Sequence, residues 1–286
     1  MPSSPSPSSS VQAARQALAA RLRELRQDAE LSGVELAATV GWHKSKVSRI
    51  EKAVQPVTRA DIRAWCSACG ADERTDDLLA SLRILEGAYV EWRRLQPTGL
   101  RRLQESYLPL YERTRWMRVY QPWVVPGLFQ TAEYARSLLT SITEFRGIRN
   151  DVDEAVAARL RRRRVLTTSG HTFAFIVEQC VLEYSVGSSE VMAGQLRHLL
   201  EAMTLPSVSL GIIPASARRP MWAVEGFTVY DTAQVHVELL TANVTVTSPS
   251  ELTTYFKAFD ELSALAVHGA EARKLIARTL DVFEGA

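Results

Sequence analysis

The segment from Leu31 to Ala53, LSGVELAATVGWHKSKVSRIEKA, constrains the fold of this chain more than any other stretch. It predicts two short helices joined by a tight turn at Gly41, because glycine adopts a positive φ without steric cost. Ala37 falls where the two helices are expected to cross, a position with no room for a larger side chain. Apolar residues recur at helical spacing around this crossing. The side chains that this pattern buries are Leu36, Val40, Trp42, Val47 and Ile50.

The second of these helices carries several polar side chains, and none of them is acidic. If Val47 and Ile50 are buried at positions i and i+3, the polar residues turn outward. A DNA-reading helix presents such a surface to the major groove, whereas a helical hairpin in an ordinary bundle would present it to solvent. We predict a DNA-binding surface formed by His43, Lys44, Ser45, Lys46, Ser48 and Arg49.

The distribution of charge supports this prediction better than its total does. A formal net charge of +2 is too small to indicate nucleic-acid binding by itself. Residues 11–70, however, hold ten Lys and Arg against six Asp and Glu, which leaves +4 on that segment and −2 on the rest of the chain. Positive charge therefore concentrates around the predicted DNA-binding surface, as electrostatic steering toward DNA requires.

A chain of 286 residues is long enough for two domains with separate cores. Residues 1–10 are Ser and Pro after the initial Met, and we predict a disordered leader there. We expect the helix-turn-helix domain in residues 11–70, a helical linker in 71–110, and a regulatory or partner-binding α+β domain in 111–286.

Hydrophobic periodicity predicts the fold class. Helical spacing covers most of the first part of the chain and continues over residues 100–120. Beyond residue 171 the period changes to 2, which predicts strands at 172–178, 208–213, 227–230 and 235–240. The expected fold is a mainly α N-terminal helix-turn-helix domain of about five helices, joined to a C-terminal α+β domain with a small sheet.

The sequence predicts no catalytic residues, no metal and no cofactor. Its histidines have no metal-ligand spacing, and it has neither a GxSxG motif nor a phosphate-binding glycine loop. Cys66 and Cys69 form a CxxC without a second pair, and we interpret them as small residues on a helix. The Ser/Pro start is unlike a signal peptide and no apolar run reaches membrane-spanning length, so we expect a cytoplasmic, nucleoid-associated protein.

Two glutamates, Glu178 and Glu238, end or lie within apolar strand patterns. They allow two interpretations. They form a carboxylate pair across a pocket, or each is a strand-end residue paired with an arginine such as Arg197 or Arg218. The run of four arginines at 161–164 also allows two interpretations, a second DNA contact or a solvated helix face paired with acids or with a partner.

The loop RRPMWAVEGF places the apolar side chains Met221 and Trp222 beside two arginines, as an exposed apolar loop would. This composition is enriched at interaction hot spots, although the same loop can instead pack as a lid on its own sheet. The candidate residues for binding a ligand or a partner in this domain are Glu178, Arg218, Arg219, Trp222 and Glu238.

Residues 18–70 resemble the xenobiotic-response-element (XRE) family of helix-turn-helix regulators, of the phage-repressor and Cro type. The run LAATVGWHKSKVSRIE carries the resemblance through an apolar-Ala pair, the turn glycine and the closing SRIE. Two positions depart from the family: Gly33 replaces a frequent phosphate-binding glutamine, and Ala53 replaces the usual helix-ending glycine. The resemblance implies base contacts from Lys44, Ser45 and Arg49, and backbone or secondary contacts from His43, Lys46 and Ser48.

Residues 111–283 are similar to the domain that follows such a module in the actinobacterial WhiJ-like developmental regulators, also described as antitoxin-like. The matching stretches are VYQPWVVPGLFQTAEYAR, ARLRRRRVLT, FIVEQCVLEYSVGSSEVMAGQLRHLL and LGIIPASA. This resemblance implies regulation, with a small acidic protein or a small-molecule effector as the input.

These observations favour a sequence-specific transcription regulator that binds a double-stranded DNA operator. A single reading module buries only about 600–1,000 Å², so we expect a homodimer, formed through the larger domain, on two half-sites. The alternative is an antitoxin-like adaptor that sequesters a small partner protein and binds DNA for autoregulation.

Overall fold

The computed structural model describes the backbone of residues 7–92, 96, 99–247 and 249–285, and the side chains of these residues except 7–13, 80 and 83–91. The chain forms two compact units, residues 1–90 and residues 91–286. None of the helices in these described ranges is both long and apolar enough to cross a membrane.

The first unit is helical, as predicted. A 3₁₀ turn at Asp72–Arg74 precedes its last helix. Its helices are α1 (Pro7–Asp28), α2 (Gly33–Thr39), α3 (Lys44–Glu51), α4 (Arg59–Ala68) and α5 (Thr75–Ala88).

Helix α1 begins at Pro7, earlier than the sequence analysis expects. Residues 7–10 of the predicted disordered leader are therefore helical, and residues 1–6 of that leader lie outside the described residues. Proline is compatible with the first turn of a helix because the backbone N–H that it lacks would have no partner there.

The core of the first unit is built around Trp65, whose side chain is fully buried. Its indole Nε1 donates a hydrogen bond to the Leu22 carbonyl oxygen of α1 at 2.9 Å. Leu78 and Leu82 of α5 belong to the same cluster of buried side chains. The core therefore extends beyond residue 70, into the segment that the sequence analysis expects to be a linker.

The second unit is organised around a mixed β-sheet, which confirms the predicted α+β class. Short strand β1 (Tyr89–Glu91) lies where the units divide. The strands wholly inside the second unit are β2 (Trp116–Gln121), β3 (Thr172–Glu178), β4 (Val208–Ile213), β5 (Phe227–Tyr230), β6 (Gln234–Glu238) and β7 (Ala242–Val246). They form the run β7-β6-β5-β2-β3-β4, in which β2, β3 and β4 are parallel and the other neighbours are antiparallel.

Helices cover this sheet. Parallel strands need a crossover, usually helical, and here helices connect β2 to β3 and β3 to β4. The helices are α6 (Arg101–Ser106), α7 (Leu108–Arg113), α8 (Ala132–Arg146), α9 (Val152–Arg161), α10 (Cys180–Glu183), α11 (Ser189–Ala202), α12 (Pro249–Leu265) and α13 (Gly269–Glu284). Short 3₁₀ segments occur at Gly127–Phe129 and Arg162–Thr167.

The register of the strands assigns each side chain to one of two faces, because side chains alternate along a strand. We call face A the side that carries Val119, Phe175, Thr228 and His236. Face B is the opposite side, and α12 packs on it, with the Tyr255 ring 5.0 Å from that of Phe227 between centroids.

The helix predicted over residues 100–120 is wrong at its end, because residues 116–121 form strand β2. This strand lies between β5 and β3, so its hydrogen-bond partners come from residues 172–177 and 227–230. Its sequence, WMRVYQ, has a polar residue at every third position, so it lacks the period of 2 that predicts a strand. Strands 172–178, 208–213 and 227–230 are confirmed at both ends. The strand predicted at 235–240 is observed at Gln234–Glu238.

A residue just beyond the C-terminal end of α3 has a strained backbone conformation. Ala53 adopts a φ of +54°, the left-handed conformation usually taken by glycine. Its N–H donates to the Ile50 carbonyl at 2.9 Å, and the Val54 N–H donates to the Arg49 carbonyl at 3.0 Å. The helix therefore ends in a Schellman motif in spite of the alanine.

We expect Ala53→Gly to stabilise the protein, because the left-handed conformation costs an L-residue about 1–2 kcal/mol and glycine avoids most of that cost. The measurement is the free energy of unfolding in urea. Ala38→Gly, an exposed helical position of α2, is the matched control and should destabilise the protein by roughly 0.5–1 kcal/mol. Equal signs for the two substitutions would contradict the assignment of strain to Ala53.

Candidate nucleic-acid interface

Helices α2 and α3 are joined by the turn that the sequence predicts. Ser32 caps α2 and forms a reciprocal capping box with Glu35. Gly41 has a φ of +69°, which confirms the reason for a glycine at the turn. The Trp42 N–H donates to the Ala37 carbonyl at 2.7 Å, which closes the turn.

The side of α3 that faces the core is apolar. Val47 and Ile50 are each 1% exposed, and they join Leu36 and Ala37 of α2 in the core of the first unit. Val40 and Trp42, also predicted to be buried, are only partly buried and pack at the edge of this cluster. Burial of Val47 and Ile50 determines which side of α3 faces solvent.

The opposite side of α3 exposes Lys44, Ser48 and Arg49. The Arg49 Nε donates to the amide oxygen of Gln55 at 3.0 Å, so its hydrogen-bond partner there is neutral. Within the described ranges Lys44 forms no ion pair and Arg49 forms none either. Both cations therefore remain available for an external anion.

His43 lies just before α3 and caps it. The Ser45 backbone N–H donates to His43 Nδ1 at 3.3 Å, and the Ser45 hydroxyl lies 2.8 Å from the same nitrogen. His43 is exposed and Ser45 is partly buried. The two residues predicted at the start of the DNA-binding surface are thus coupled to each other at the helix N-terminus.

Lys46 has an internal partner. Its Nζ lies 2.6 Å from Asp61 Oδ1 of α4 and 3.9 Å from the centroid of the Trp42 ring. Burial alone would raise the pKa of Asp61, but hydrogen bonds from Lys46 and Thr58 outweigh that effect and keep the pKa below its ordinary value. Lys46 therefore ties α3 to α4, a position different from the exposed one that the sequence analysis expects.

Two arginines of α1 hold the C-terminal end of α3. Arg26 Nε lies 2.6 Å from Glu51 Oε1, and Arg23 Nη2 donates to the Glu51 carbonyl oxygen at 2.6 Å. Cations at a helix C-terminus are favourable because carbonyl groups there have no partners within the helix. These contacts neutralise Glu51, the acid of α3, and hold the C-terminal end of the helix in place.

The predicted carboxylate pair in the second unit is wrong. Side chains two residues apart on a strand point to the same face. Glu178 therefore lies on face B with Ile176, the neighbour of Phe175, and Glu238 lies on face A with His236. The sheet therefore separates the two carboxylates.

The alternative, a glutamate paired with an arginine, is confirmed for Glu178, although with a different arginine. The Tyr120 hydroxyl donates to Glu178 Oε1 at 2.7 Å, and Arg219 forms an ion pair with Oε2. Burial and then the hydrogen bond to Glu178 raise the pKa of Tyr120, which keeps its hydroxyl protonated as the donor. Arg197 pairs with Glu284 instead.

The other loop candidates do not join Glu178. Arg218 is exposed, and the Trp222 side chain is 72% exposed. The structure therefore brings together Glu178 and Arg219, and places Arg218, Trp222 and Glu238 elsewhere. The exposure of Trp222 agrees with the interpretation of the loop as an interaction surface and not with a lid packed on its own sheet.

The four arginines at 161–164 have different environments. Arg161 forms an ion pair with Glu105 at 3.1 Å, and Arg164 forms one with Glu112. These two agree with a solvated face that is paired with acids. Arg162, by contrast, is only 6% exposed, and it lines a cavity together with Arg159. Sequence reasoning missed this cavity, since charge runs do not reveal which member of the run is buried.

Comparisons with known proteins agree with this division of the chain. Residues 17–82 match the family described as a helix-turn-helix domain. This match, together with the geometry of α2 and α3, shows that the first unit contains a helix-turn-helix domain. Residues 104–278 match a family described as a domain of unknown function (DUF5753). Because that match spans more than half of the chain, the protein belongs to the DUF5753 family.

No curated protein matches the chain in sequence. Among solved structures, it is similar to TrmBL2, described as an archaeal chromatin protein that shows a novel mode of DNA binding. The identity is 10%, the TM-score is 0.32, and the alignment covers 84% of this chain and 88% of the other. A likeness this weak does not indicate a shared function.

We expect Asp61→Asn to lower the free energy of unfolding by about 1–3 kcal/mol at neutral pH, because it removes the charge that pairs with Lys46. Since the pKa of folded Asp61 lies below its ordinary value of 3.8, its contribution is fully present at neutral pH and is lost as the pH falls below that value. Urea unfolding at pH values from 7 to about 3 measures both effects.

The matched control for this experiment is Asp28→Asn, at an exposed carboxylate of α1. It should change the free energy of unfolding by less than about 0.5 kcal/mol. An Asp61→Asn variant as stable as the wild type, with the same dependence on pH, would show that the Lys46–Asp61 pair does not hold α3 in place.

Proposed function

We propose that the protein is a sequence-specific, DNA-binding transcription regulator of the XRE type, and that α3 is its recognition helix. The observation that carries the proposal is the position of α3. Its apolar side is buried in the core, and its acid, Glu51, is neutralised by Arg26 of α1. The exposed cations Lys44 and Arg49 face outward. A helix presented in this way fits the major groove of duplex DNA.

The side chains suggest different contacts. Arg49 and Lys44 donate hydrogen bonds and are suited to the O6 and N7 acceptors of guanine, and a good bidentate contact discriminates by about 1–3 kcal/mol. Ser45 serves either donors or acceptors on a base edge. His43 and Ser48 flank these residues and are suited to the phosphate backbone. Lys46 acts mainly by positioning α3 through Asp61.

We expect Arg49→Ala to remove the preference for one base pair in the operator. Selection of bound sequences from random DNA gives the operator, and fluorescence anisotropy then gives affinities for the operator and for a version changed at that base pair. The wild type should discriminate between them by about 1–3 kcal/mol, roughly 5- to 150-fold. The variant should bind both with similar affinity.

The control for charge is Arg63→Ala, which removes an exposed arginine of α4. This variant should retain the preference for the base pair, even if its affinity falls slightly for all sequences. Circular dichroism shows whether each variant is folded. Undiminished preference in a folded Arg49→Ala variant would refute the assignment of base contacts to α3.

We also propose that the regulator acts as a homodimer formed through its larger domain. A single helix-turn-helix unit buries too little surface for tight operator binding, and a dimer places two recognition helices on half-sites about one helical turn apart. Multi-angle light scattering at micromolar concentration should give twice the mass of the chain. A monomer that still binds operator tightly would contradict this arrangement.

The second unit is proposed to receive the signal, either a small molecule or a small acidic protein, as in WhiJ-like regulators. The exposure of Trp222 and Arg218, which lie four residues apart in the same loop, favours a second candidate function, an antitoxin-like adaptor that sequesters a partner. Copurification with a small acidic protein encoded nearby, lost in Trp222→Ala, would support the adaptor. Copurification that is unchanged in that variant would exclude Trp222 as its binding site.

A further inference from the structure

The second unit contains a cavity of about 230 Å³ on face A of the sheet. It is lined by α6, α7, the end of α9 with the 3₁₀ segment that follows it, and the central strands. The polar and aromatic side chains that matter for its chemistry are Tyr107, Tyr111, Arg159, Arg162, Tyr230 and His236. The DNA-binding proposal makes no use of these residues, and Glu178 and Arg219 lie on the opposite face.

Two guanidinium groups converge in the lining of this cavity. Arg159 Nε donates to the Gln104 amide oxygen at 3.0 Å, and Arg162 Nη2 donates to the same oxygen. Arg159 also donates through Nη1 to the amide oxygen of Gln130. Both glutamines are buried. Two positive charges are therefore held together by neutral acceptors.

The positive charge of this pair has no direct carboxylate partner. In the part of the chain that the structure describes, neither Arg159 nor Arg162 forms an ion pair, and the one acid in the cavity lining is the exposed Glu238. Burial and then repulsion from Arg162 lower the pKa of Arg159 to about 10, and the attraction of Glu238 is weaker than that repulsion. Burying charge without a counter-ion is costly.

The rest of the lining is suited to an aromatic or apolar group. The Arg162 guanidinium lies 5.5 Å and 5.1 Å from the ring centroids of Tyr107 and Tyr111, within the range of cation–π contacts. The ring of Phe175 on β3 contributes apolar surface. The lining thus combines a cationic part with an aromatic part.

His236 adds a hydrogen-bond donor without a partner. Its Nε2 lies 3.0 Å from the Gln234 amide nitrogen. With that amide donating to Nε2, the proton of the neutral ring is on Nδ1. Among the described residues, Nδ1 is buried and has no hydrogen-bond partner. Burial lowers the pKa of His236 to about 4, so the ring is neutral at physiological pH.

We propose that this cavity is a binding site for a small organic anion. The oxyanion of the ligand, a carboxylate or a phosphate, is held by Arg159 and Arg162, and its apolar part packs against the aromatic side chains. Sites for drug-sized ligands typically have volumes of about 300–1,000 Å³. The cavity is smaller than this, which limits the ligand to a small metabolite. The inference deepens the proposed sensing of a small-molecule effector by the second unit, and it rests on that proposal.

The test is isothermal titration calorimetry on the full chain with benzoate and with phenyl phosphate. Benzamide, which has the shape of benzoate without its charge, is the control ligand. We expect saturable binding of at least one anion at one site per chain, at least about tenfold tighter than benzamide. Tighter binding of benzoate identifies a carboxylate site, and tighter binding of phenyl phosphate identifies a phosphate site.

The variants assign the binding to this cavity. Arg159→Gln should weaken binding of the preferred anion by at least about tenfold. Arg161→Gln removes an exposed arginine two positions away and should leave affinity unchanged. If Arg159→Gln does not fold, Glu238→Gln provides the test, because removal of this exposed acid should strengthen anion binding severalfold. Unchanged or weaker binding in Glu238→Gln would overturn the proposal.

The result is also distinguishable from a failure of the DNA-binding proposal. Absence of saturable binding for both anions, or equal affinity for benzamide, overturns the anion site, while operator binding by the same preparation leaves the regulator proposal intact. Anion binding by a chain that fails to select any DNA sequence supports the site and contradicts the regulator proposal instead.

Discussion

The burial of Val47 and Ile50 is the constraint on which the geometry of the first unit depends. Each side chain, fully buried, contributes about 1.5–3 kcal/mol relative to an exposed position. Rotation of α3 about its axis would expose these residues and move charged Lys44 toward the core, which carries a further cost of desolvation. The outward direction of the polar side is therefore determined by the hydrophobic core and needs no contact with DNA to maintain it.

The cations around α3 fall into two groups with different partners. Arg23, Arg26 and Lys46 face acids or carbonyl groups inside the unit, where they fix both the end and the side of the helix. Lys44 and Arg49 face solvent. The internal group also neutralises Glu51 and Asp61, which would otherwise repel DNA phosphates near the interface. The net charge of +4 over residues 11–70 therefore has two roles. Some of these cations position α3, and the others are available to attract DNA phosphates.

Most of the fold and part of the interface could be predicted from local sequence. Gly41 and strands 208–213 and 227–230 follow from turn and alternation rules that involve only neighbouring residues. Strand β2 was missed because its sequence, WMRVYQ, has a polar residue at every third position and lacks the period of 2 that identifies a strand. The ion pair of Lys46 could not be predicted, since no local pattern indicates that α4 brings Asp61 beside it.

The faces of the sheet explain why the glutamate hypothesis failed. Whether Glu178 and Glu238 share a side depends on the register of every strand between them, and a shift by one residue reverses the answer. Sequence alone leaves that register open. The structure places Glu178 with Tyr120 and Arg219 on face B, where both of its carboxylate oxygens have a partner.

The arginines on the two faces of the sheet differ in their partners. On face B, the partly buried Arg219 is matched by a carboxylate, which shows that this unit can supply a counter-ion where an arginine has a structural role. On face A, Arg159 and Arg162 share one neutral amide oxygen beside open volume. A purely structural role would favour a carboxylate at the position of Gln104. A neutral acceptor there keeps the positive charge of the pair for an anion from outside the chain.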